Sequence, residues 1–356
     1  MGDYPSRSVN ATAGDLGVTP RHAQGAGYGS SPSNSNEPPL GGGGALPKKS
    51  RFSIEAGFRG LSTASGAMVL VIIVAIAVFL ISKAVPALQA NEANFLTELT
   101  WFPNENPARF GIAALAFGTV LSSIIALIVA VPIALGIALF LSHYAPKRLA
   151  TPLGFVIDLL AAVPSVVFGL WGRDVFQEPV RDFSIWLNTY FSWIPLFGGD
   201  GPFGQSIMLG GLVLAIMVLP IVTSLSREVF QQTPGMNEEA ALALGATRWE
   251  MLRTAVLPYG KPGVIAAVML GLGRALGETI ALALTLSIAF NISFNVIENG
   301  GNSIAANIAN SFAEANDTGR GALIASGLVL FAITLVVNMT ARAIIYRRRE
   351  FRDSAA

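Results

Sequence analysis

An arginine and a glutamate lie inside an otherwise apolar stretch, GLGRALGETIALAL at residues 271–284. The nearest charged residues outside it are Lys261 and Glu298. If the stretch is helical and spans a bilayer, Arg274 lies roughly 20 Å from Lys261 along the axis. That position is well inside a hydrocarbon layer about 30 Å thick. A charge at such a depth is costly and marks either a buried ion pair or a path for a polar solute.

Arg274 and Glu278 are four residues apart, a spacing that places both side chains on one face of a continuous helix. One interpretation is a structural pair whose charges neutralise each other. The other is an anion site, because a guanidinium group donates two parallel hydrogen bonds to phosphate oxygens. Asp158, in the stretch GFVIDLLAAVP, is a candidate third member, or it lies near the end of its own span and takes no part. The residue types alone favour neither interpretation.

The composition of the chain is that of a membrane protein. Of its 356 residues, 52% are hydrophobic and 13% are charged, whereas soluble domains have about 25% charged residues. The net charge of +1 gives no indication of a nucleic-acid partner. The absence of cysteine excludes disulfides, thiolate metal sites and a cysteine nucleophile. Neither His22 nor His143 has a partner at metal-ligand spacing, so we expect no metal or cofactor in this chain.

Six apolar segments are long enough to cross a bilayer, which requires about 20 residues. They follow a tail, residues 1–55, that is rich in Gly, Ser, Pro and Asn and is predicted to be disordered. The predicted spans are 64–88, 112–142, 151–171, 206–226, 262–290 and 322–346. We therefore expect an all-α polytopic membrane protein with six transmembrane helices in a domain that covers residues 56–350.

Lysine and arginine are distributed unequally between the two sets of loops. One set contains 15 of these residues and the opposite set contains four. The richer set comprises 48–60, 143–150, 227–261 and 341–356, and the poorer set comprises 89–111, 172–205 and 291–321. Because cytoplasmic loops carry an excess of Lys and Arg, both termini are predicted to lie in the cytoplasm.

The longest internal cytoplasmic loop, 227–261, has the pattern of two short helices. Asn237 is a candidate N-cap, Gly245 suits a helix stop, and Thr247 begins a sequence that fits a capping box. Leu257-Pro258 is expected to end the second helix before the fifth span. Local physics leaves two interpretations open: an ordinary loop folded on the membrane surface, or a docking element for a cytoplasmic partner.

The same loop resembles the EAA motif of ABC importer permeases. Glu239, Ala240 and Ala241 are followed after three residues by Gly245, and Leu257-Pro258 closes the pattern. The resemblance implies a coupling helix that docks on a separate ATP-hydrolysing subunit, with Glu239, Ala240, Ala241 and Gly245 as the coupling residues. The sequence contains no G-x-x-x-x-G-K-[ST] loop. ATP and Mg²⁺ are therefore expected in the partner chain and not in this one.

Three further stretches resemble the PstC family of bacterial phosphate permeases. They are 101–146, 163–172 and 274–279. The similarity covers about 60–350 and implies a MetI-like permease of the bacterial inner membrane, belonging to the type I ABC importers. It also implies that Arg274, Glu278 and Asp158 lie on the path of inorganic phosphate. The chain is accordingly expected to be a transporter subunit and not an enzyme.

The resemblance further implies three kinds of partner within the bilayer and on either side of it. They are a second permease chain (PstA-like), a dimer of ATPase subunits (PstB-like) and an external phosphate-binding protein (PstS-like). Two alternatives share the architecture: a permease for sulfate or molybdate, in which we expect an aromatic residue in place of Thr279, and the sister phosphate permease PstA. A third alternative is a secondary anion transporter that uses Arg274 without ATP.

Overall fold

The computed structural model describes residues 54–353 and the side-chain surroundings of residues 57–343. The tail that is predicted to be disordered, 1–55, lies almost entirely outside the described residues. The chain divides into two units, Met1–Ser62 and Thr63–Ala356. The first contributes only the beginning of the first helix to the described part, and the second contains all the other elements.

Helices account for most of the described part of the chain. They are α1 (Ile54–Ala90), α2 (Ala113–Leu139), α3 (Lys147–Ala161), α4 (Ser165–Trp171), α5 (Gln177–Phe191), α6 (Ile207–Gln231), α7 (Gly235–Ala243), α8 (Arg248–Met251), α9 (Leu257–Leu276), α10 (Ile280–Thr285), α11 (Ile304–Ser311) and α12 (Asp317–Asp353). Three π-helical turns continue α2, α4 and α8 respectively: π1 (Phe140–Tyr144), π2 (Gly172–Phe176) and π3 (Leu252–Val256). Two short antiparallel strands, β1 (Trp101–Phe102) and β2 (Arg109–Phe110), lie between α1 and α2.

Five helical segments are long and apolar enough to cross a membrane. They are Gly57–Ala90, Ala113–Tyr144, Ile207–Gln231, Arg248–Leu276 and Asp317–Ala343. A sixth crossing results if α3 and the helix Ser165–Phe191 count as one span, although they are bent by 89°. Segment 151–171, predicted as a single span, therefore contains a sharp break. Pro164 lies at this break, where proline lacks the N–H of a helical residue and disfavours the helical conformation of the residue before it.

Helix α6 lies at the centre of the helical unit, where it packs against α2, α9 and α3. The face of α2 that meets this core repeats alanine every four residues, and all of these alanines are fully buried: Ala126, Ala130, Ala134 and Ala138. On α9, a Cβ atom added to Gly271 would lie only 2.7 Å from Val218 of α6. Small residues favour close helix packing in lipid, where association depends on contact between backbones and side chains.

Two non-helical segments, 192–206 and 286–303, cover the end of α6 at which Ile207 lies. Their backbone hydrogen bonds join Val296 to Leu196, Asn299 to Pro202, and Gly300 to Gln205. The Glu298 carboxylate adds a side-chain link, because it accepts a hydrogen bond from the Gly201 N–H at 2.9 Å. These bonds tie the connection that follows α10 to the one that precedes α6, and so hold α10 against the rest of the bundle.

A surface ion pair connects β2 to the segment before β1. The Arg109 guanidinium donates to Glu98 at 3.0 Å, and the Thr100 hydroxyl donates to the same carboxylate at 2.9 Å. The hydrogen bond from Arg109, followed by those from Thr100, lowers the pKa of Glu98 below its ordinary value. A carboxyl group whose pKa is lower in the folded state stabilises the fold above its unfolded-state pKa, and this stabilisation is lost as the pH falls through the folded-state value.

We expect Glu98→Gln to lower the thermal unfolding temperature slightly at neutral pH and to have a progressively smaller effect as the solution is acidified below about pH 4.3. The effect is small because both groups are close to solvent, where ion pairs contribute little. Tryptophan fluorescence during heating in detergent measures the difference between the two proteins at each pH. The exposed Glu105, in the same connection, provides the control Glu105→Gln. If the difference in unfolding temperature between Glu98→Gln and the wild-type chain does not change with pH, the lowered pKa of Glu98 is contradicted.

Candidate functional site

Arg274 and Glu278 lie on opposite sides of a helix break, so the prediction that they share one helix face is wrong. Helix α9 ends at Leu276 and Gly277 caps it, with its N–H donating to the Gly273 carbonyl at 3.3 Å. Helix α10 starts only at Ile280. The segment predicted as the fifth span, 262–290, is therefore discontinuous. Glycine weakens a helix interior, and the structure places the break at this glycine.

Glu278 caps the second part of the broken helix. Its side chain is buried, with 8% of its surface exposed, and Oε1 accepts a hydrogen bond from the Ala281 N–H at 3.2 Å. Carboxylates are favourable at helix N-termini because they satisfy N–H groups that have no partner within the helix. Among residues 57–343, no ion pair joins Glu278 to Arg274. The structure therefore supplies a local, structural partner for the glutamate.

Arg274 is exposed at the end of α9, yet it lies level with the interior of the helical bundle. Gly271, three residues earlier, packs against Val218 and Val222. These valines lie near the middle of α6, which runs from Ile207 to Gln231. The guanidinium is thus carried by a helix end at mid-bundle depth, and Arg274 is exposed there.

The break between α9 and α10 lies beside the break between α3 and α4. A Cβ atom added to Gly169 would lie 2.9 Å from the Ala281 Cα, and one added to Gly172 would lie 3.1 Å from the Thr285 side chain. The residue numbers rise in the same direction on both sides, from Gly169 to Gly172 and from Ala281 to Thr285. Helices α4 and α10 therefore run parallel, and the numbers of facing residues differ by about 112. Helix α4 thus packs along α10 directly after the break that contains Glu278. Non-helical backbone at membrane depth is tolerated where it is buried in protein or lines a polar cavity.

Asp158 lies on α3 and is held by α6. Its carboxylate accepts a hydrogen bond from the Ser224 hydroxyl at 2.6 Å. One turn away, the Arg227 guanidinium fills the space that a side chain at Gly154 would need. The structure therefore associates Asp158 with a contact between α3 and α6, and it shows no ion pair between Asp158 and Arg274 within residues 57–343.

The predicted coupling residues lie on α7 and at its end. The helix begins at Gly235, directly after Pro234, so the prediction that Asn237 is the N-cap is wrong by three positions. Gly245 terminates α7 with a φ of +86°, as the sequence predicts. The N–H groups of Gly245 and Ala246 donate to the carbonyls of Leu242 and Ala241. This pair of bonds is a Schellman motif, which requires a left-handed residue and so favours glycine.

The second helix of the loop starts as predicted but does not stop as predicted. Thr247 and Glu250 form a capping box, with the Glu250 N–H donating to the threonine hydroxyl at 3.3 Å and the Thr247 N–H donating to the carboxylate at 2.8 Å. Leu257-Pro258 does not end this helix, which continues to Leu276 through π3. A π-turn provides longer-range backbone bonds next to the proline, which lacks an N–H. The second part of the 227–261 loop, from Arg248 onward, is thus continuous with α9.

The outer surface of this loop exposes large apolar side chains. Leu244 is 90% exposed and Met236 is 80% exposed, and both belong to the segment that ends at Gly245. A groove of about 510 Å³ runs between α7 and the beginning of α9. Its lining residues are Asn237, Ala240, Ala241, Leu244, Thr254, Ala255, Pro258 and Tyr259. Large exposed apolar side chains beside a groove are typical of a surface that binds another protein.

One residue next to this surface was not identified from the sequence. His143, which the sequence places in a short loop, belongs to π1 at the end of α2 and lies 3.3 Å from Glu238 of α7. The two residues are 95 positions apart. No local pattern could predict this contact, because it depends on how α2 and the coupling loop pack.

Comparison with known proteins gives a consistent result for most of the chain. The family model for the binding-protein-dependent transport system inner membrane component matches residues 130–350. Phosphate transport system permease protein PstC 2 of Mycobacterium tuberculosis is 47% identical over 292 residues, which cover 81% of this chain and 90% of that protein. The PstC protein of Xylella fastidiosa is 40% identical, and the match covers 82% of this chain and 90% of that protein. The PstC protein of Haemophilus influenzae is 36% identical, and the match covers 83% of this chain and 95% of that protein.

Solved structures with a similar arrangement of helices come from ABC transporters. A structure of the MetNI methionine transporter in an inward-facing conformation is similar with a TM-score of 0.43 and 13% identity, covering 65% of this chain and 90% of that one. A bacterial ABC transporter involved in the import of the acidic polysaccharide alginate gives a TM-score of 0.48 and 16% identity. The match covers 66% of this chain and 78% of that one.

The family match over residues 130–350 and the similarity of the PstC relatives along four fifths of the chain lead to one assignment. The chain belongs to the family of binding-protein-dependent transport system inner membrane components, the permease subunits of ABC importers.

Proposed function

We propose that this chain is the permease subunit of an ABC importer that carries inorganic phosphate into the cytoplasm. The observation that carries the proposal is the coupling loop, in which the EAA sequence forms an exposed helix closed by a left-handed Gly245 and followed by the continuous helix Arg248–Leu276. The identity of the anion is supported by the names of the three relatives described above, each of which is a phosphate transport system permease protein.

ATP and Mg²⁺ bind, in this proposal, to separate ATPase subunits that dock on the groove beside α7. Leu244 and Met236 provide apolar anchors, and Glu239 provides a charge at the exposed surface of the same helix. Because α8, π3 and α9 form one helix of 29 residues, movement of the loop displaces the α9 end that carries Arg274. A second permease chain and an external phosphate-binding protein complete the transporter.

Arg274 is, in the same proposal, the residue that binds phosphate within the membrane. The exposed guanidinium has no carboxylate to neutralise it among the described residues, and it matches the geometry of two phosphate oxygens. Glu278 acts indirectly, by fixing the start of α10. Asp158 positions α3 against α6 through Ser224. The exposed face around Arg274 is the surface expected to meet the second permease chain.

Competition between anions tests the proposed substrate. Cells that lack their own phosphate importers and express the complete transporter should accumulate labelled phosphate, and excess unlabelled sulfate or molybdate should not reduce this uptake. Cells that lack only this chain provide the baseline. Inhibition by sulfate at a concentration similar to that of phosphate would favour a permease for another oxyanion and would contradict the phosphate assignment.

Cysteine labelling tests the proposed orientation in the membrane. Ser192, Gln231 and Asn310 are exposed in the structure, and the chain has no cysteine of its own. We expect Ser192→Cys and Asn310→Cys to react with an impermeant maleimide added to intact cells. Gln231→Cys should react only after the cells are opened, because the coupling loop is proposed to be cytoplasmic. Labelling of Gln231→Cys in intact cells would contradict this orientation.

A further inference from the structure

A polar contact links the coupling helix α7 directly to α2, the helix that packs on the central α6. Nε2 of His143 lies 3.3 Å from Oε1 of Glu238. Both side chains are partly shielded, with 10% and 25% of their surfaces exposed. The glutamate precedes Glu239, the first residue of the EAA sequence, so the contact reaches the coupling helix close to its proposed docking surface.

The chemistry of the two groups fixes the direction of this hydrogen bond. An ionised carboxylate only accepts hydrogen bonds, so His143 must donate through Nε2–H. Nδ1 of His143 lies 2.7 Å from the Ser142 hydroxyl, which is also 2.8 Å from the Ala138 carbonyl. The ring is therefore held from both sides, by α7 at one nitrogen and by the end of α2 at the other. Such a second hydrogen bond orients the imidazole ring.

Apolar packing below this contact joins the same two elements. Ala138 of α2 and Leu252 of π3 belong to one buried cluster, against which Ala241 of α7 packs. Ala138 is also the last member of the alanine face that α2 presents to the core. A displacement of α7 thus reaches α2 along two routes: the shared apolar cluster and the hydrogen bond from His143. Of these two routes, the hydrogen bond has one donor and one acceptor, so a single substitution removes it.

We propose that His143 is a positioning residue of the transport cycle, which transmits the movement of α7 to α2 through Glu238. The inference rests on the proposed coupling function of the loop. The π1 turn places the imidazole at the end of a helix whose alanine face packs on the core, so α2 follows the coupling helix when ATPase subunits move it. Without this bond, only the apolar cluster links α7 to α2, and less substrate moves for each ATP that is hydrolysed.

The ratio of ATP hydrolysed to phosphate moved tests this role in the reconstituted transporter. We expect His143→Leu to raise the ratio at least fivefold while the ATPase subunits still bind within twofold of the wild-type affinity. His143→Gln, whose amide can still donate to Glu238, should restore most of the coupling. The combination of His143→Leu with Glu238→Ala should be no worse than either change alone, because both remove the same bond. The neighbouring exposed Tyr144 provides the control Tyr144→Phe.

The outcomes separate this inference from the function on which it rests. If the wild-type chain does not bind ATPase subunits, the proposed function fails. If it binds them and His143→Leu keeps the wild-type ratio, only the role of His143 is overturned. Should His143→Leu fail to assemble, Glu238→Ala carries the test on the same measurement, because alanine favours the helix in which it is placed. A wild-type ratio for Glu238→Ala would likewise overturn the inference.

Discussion

Replacement of Arg274 by glutamine is expected to reduce phosphate uptake by roughly 10- to 150-fold, the range that corresponds to one lost hydrogen bond to a charged group. The chain should still insert and assemble. If Arg274 and Glu278 formed a neutralising pair, the same change would leave Glu278 buried and unpaired. In the structure the Glu278 carboxylate is satisfied by the Ala281 N–H, so removal of the arginine should leave the stability of the fold almost unchanged.

Uptake of labelled phosphate, normalised to the amount of assembled complex, measures this effect. Arg274→Lys should retain part of the activity, because lysine keeps the charge but cannot bind two oxygens in parallel. Glu278→Gln retains an oxygen that can accept from the Ala281 N–H and should have a smaller effect than Arg274→Gln. The surface residue Arg181, paired with Asp182 at 3.3 Å, provides the control Arg181→Gln. Normal uptake by Arg274→Gln would remove the arginine from the substrate path.

Replacement of Gly245 by valine is expected to weaken binding of the ATPase subunits by roughly 5- to 150-fold, which corresponds to about 1–3 kcal/mol of backbone strain. Gly245 has a φ of +86°, and an added Cβ atom would meet no other atom within 4 Å. The effect is therefore one of backbone conformation and not of collision. The left-handed conformation is unfavourable for β-branched residues, so α7 would no longer end where its docking surface requires.

Two matched variants isolate this cause in a co-purification experiment. Gly245→Asn should bind the ATPase subunits better than Gly245→Val, because asparagine tolerates the left-handed region. Gly235, at the other end of α7, also has open space around it but has no positive φ. Gly235→Ala should therefore bind normally. Equal binding by Gly245→Val and the wild-type chain would show that the end of α7 does not control docking.

The features that depend on neighbouring residues along the chain could be predicted from the sequence. The capping box joins Thr247 to Glu250, only three positions later, and the helix stop at Gly245 needs only a glycine after a helical run. The helical membrane architecture likewise follows from long apolar segments. In each case the determining interaction is local, so the residue types and their spacing contain the necessary information.

The features that depend on tertiary packing could not be predicted in this way. A spacing of four residues places Arg274 and Glu278 together only if the helix is unbroken, and the break at Gly277 is stabilised by the contact of α10 with α4. Leu257-Pro258 has the form of a helix end, but π3 accommodates the proline. The contact between His143 and Glu238 joins residues 95 positions apart, which no periodic pattern indicates.

The most direct test of the proposed transport function is phosphate uptake into proteoliposomes that contain the complete transporter. ATP and Mg²⁺ are supplied on the side of the coupling loop, and the phosphate-binding protein is supplied on the other side. The predicted result is accumulation of labelled phosphate that requires ATP and ceases when this chain is omitted or carries Arg274→Gln. Uptake that proceeds equally well without ATP, or that is unaffected by the omission of this chain, would contradict the account.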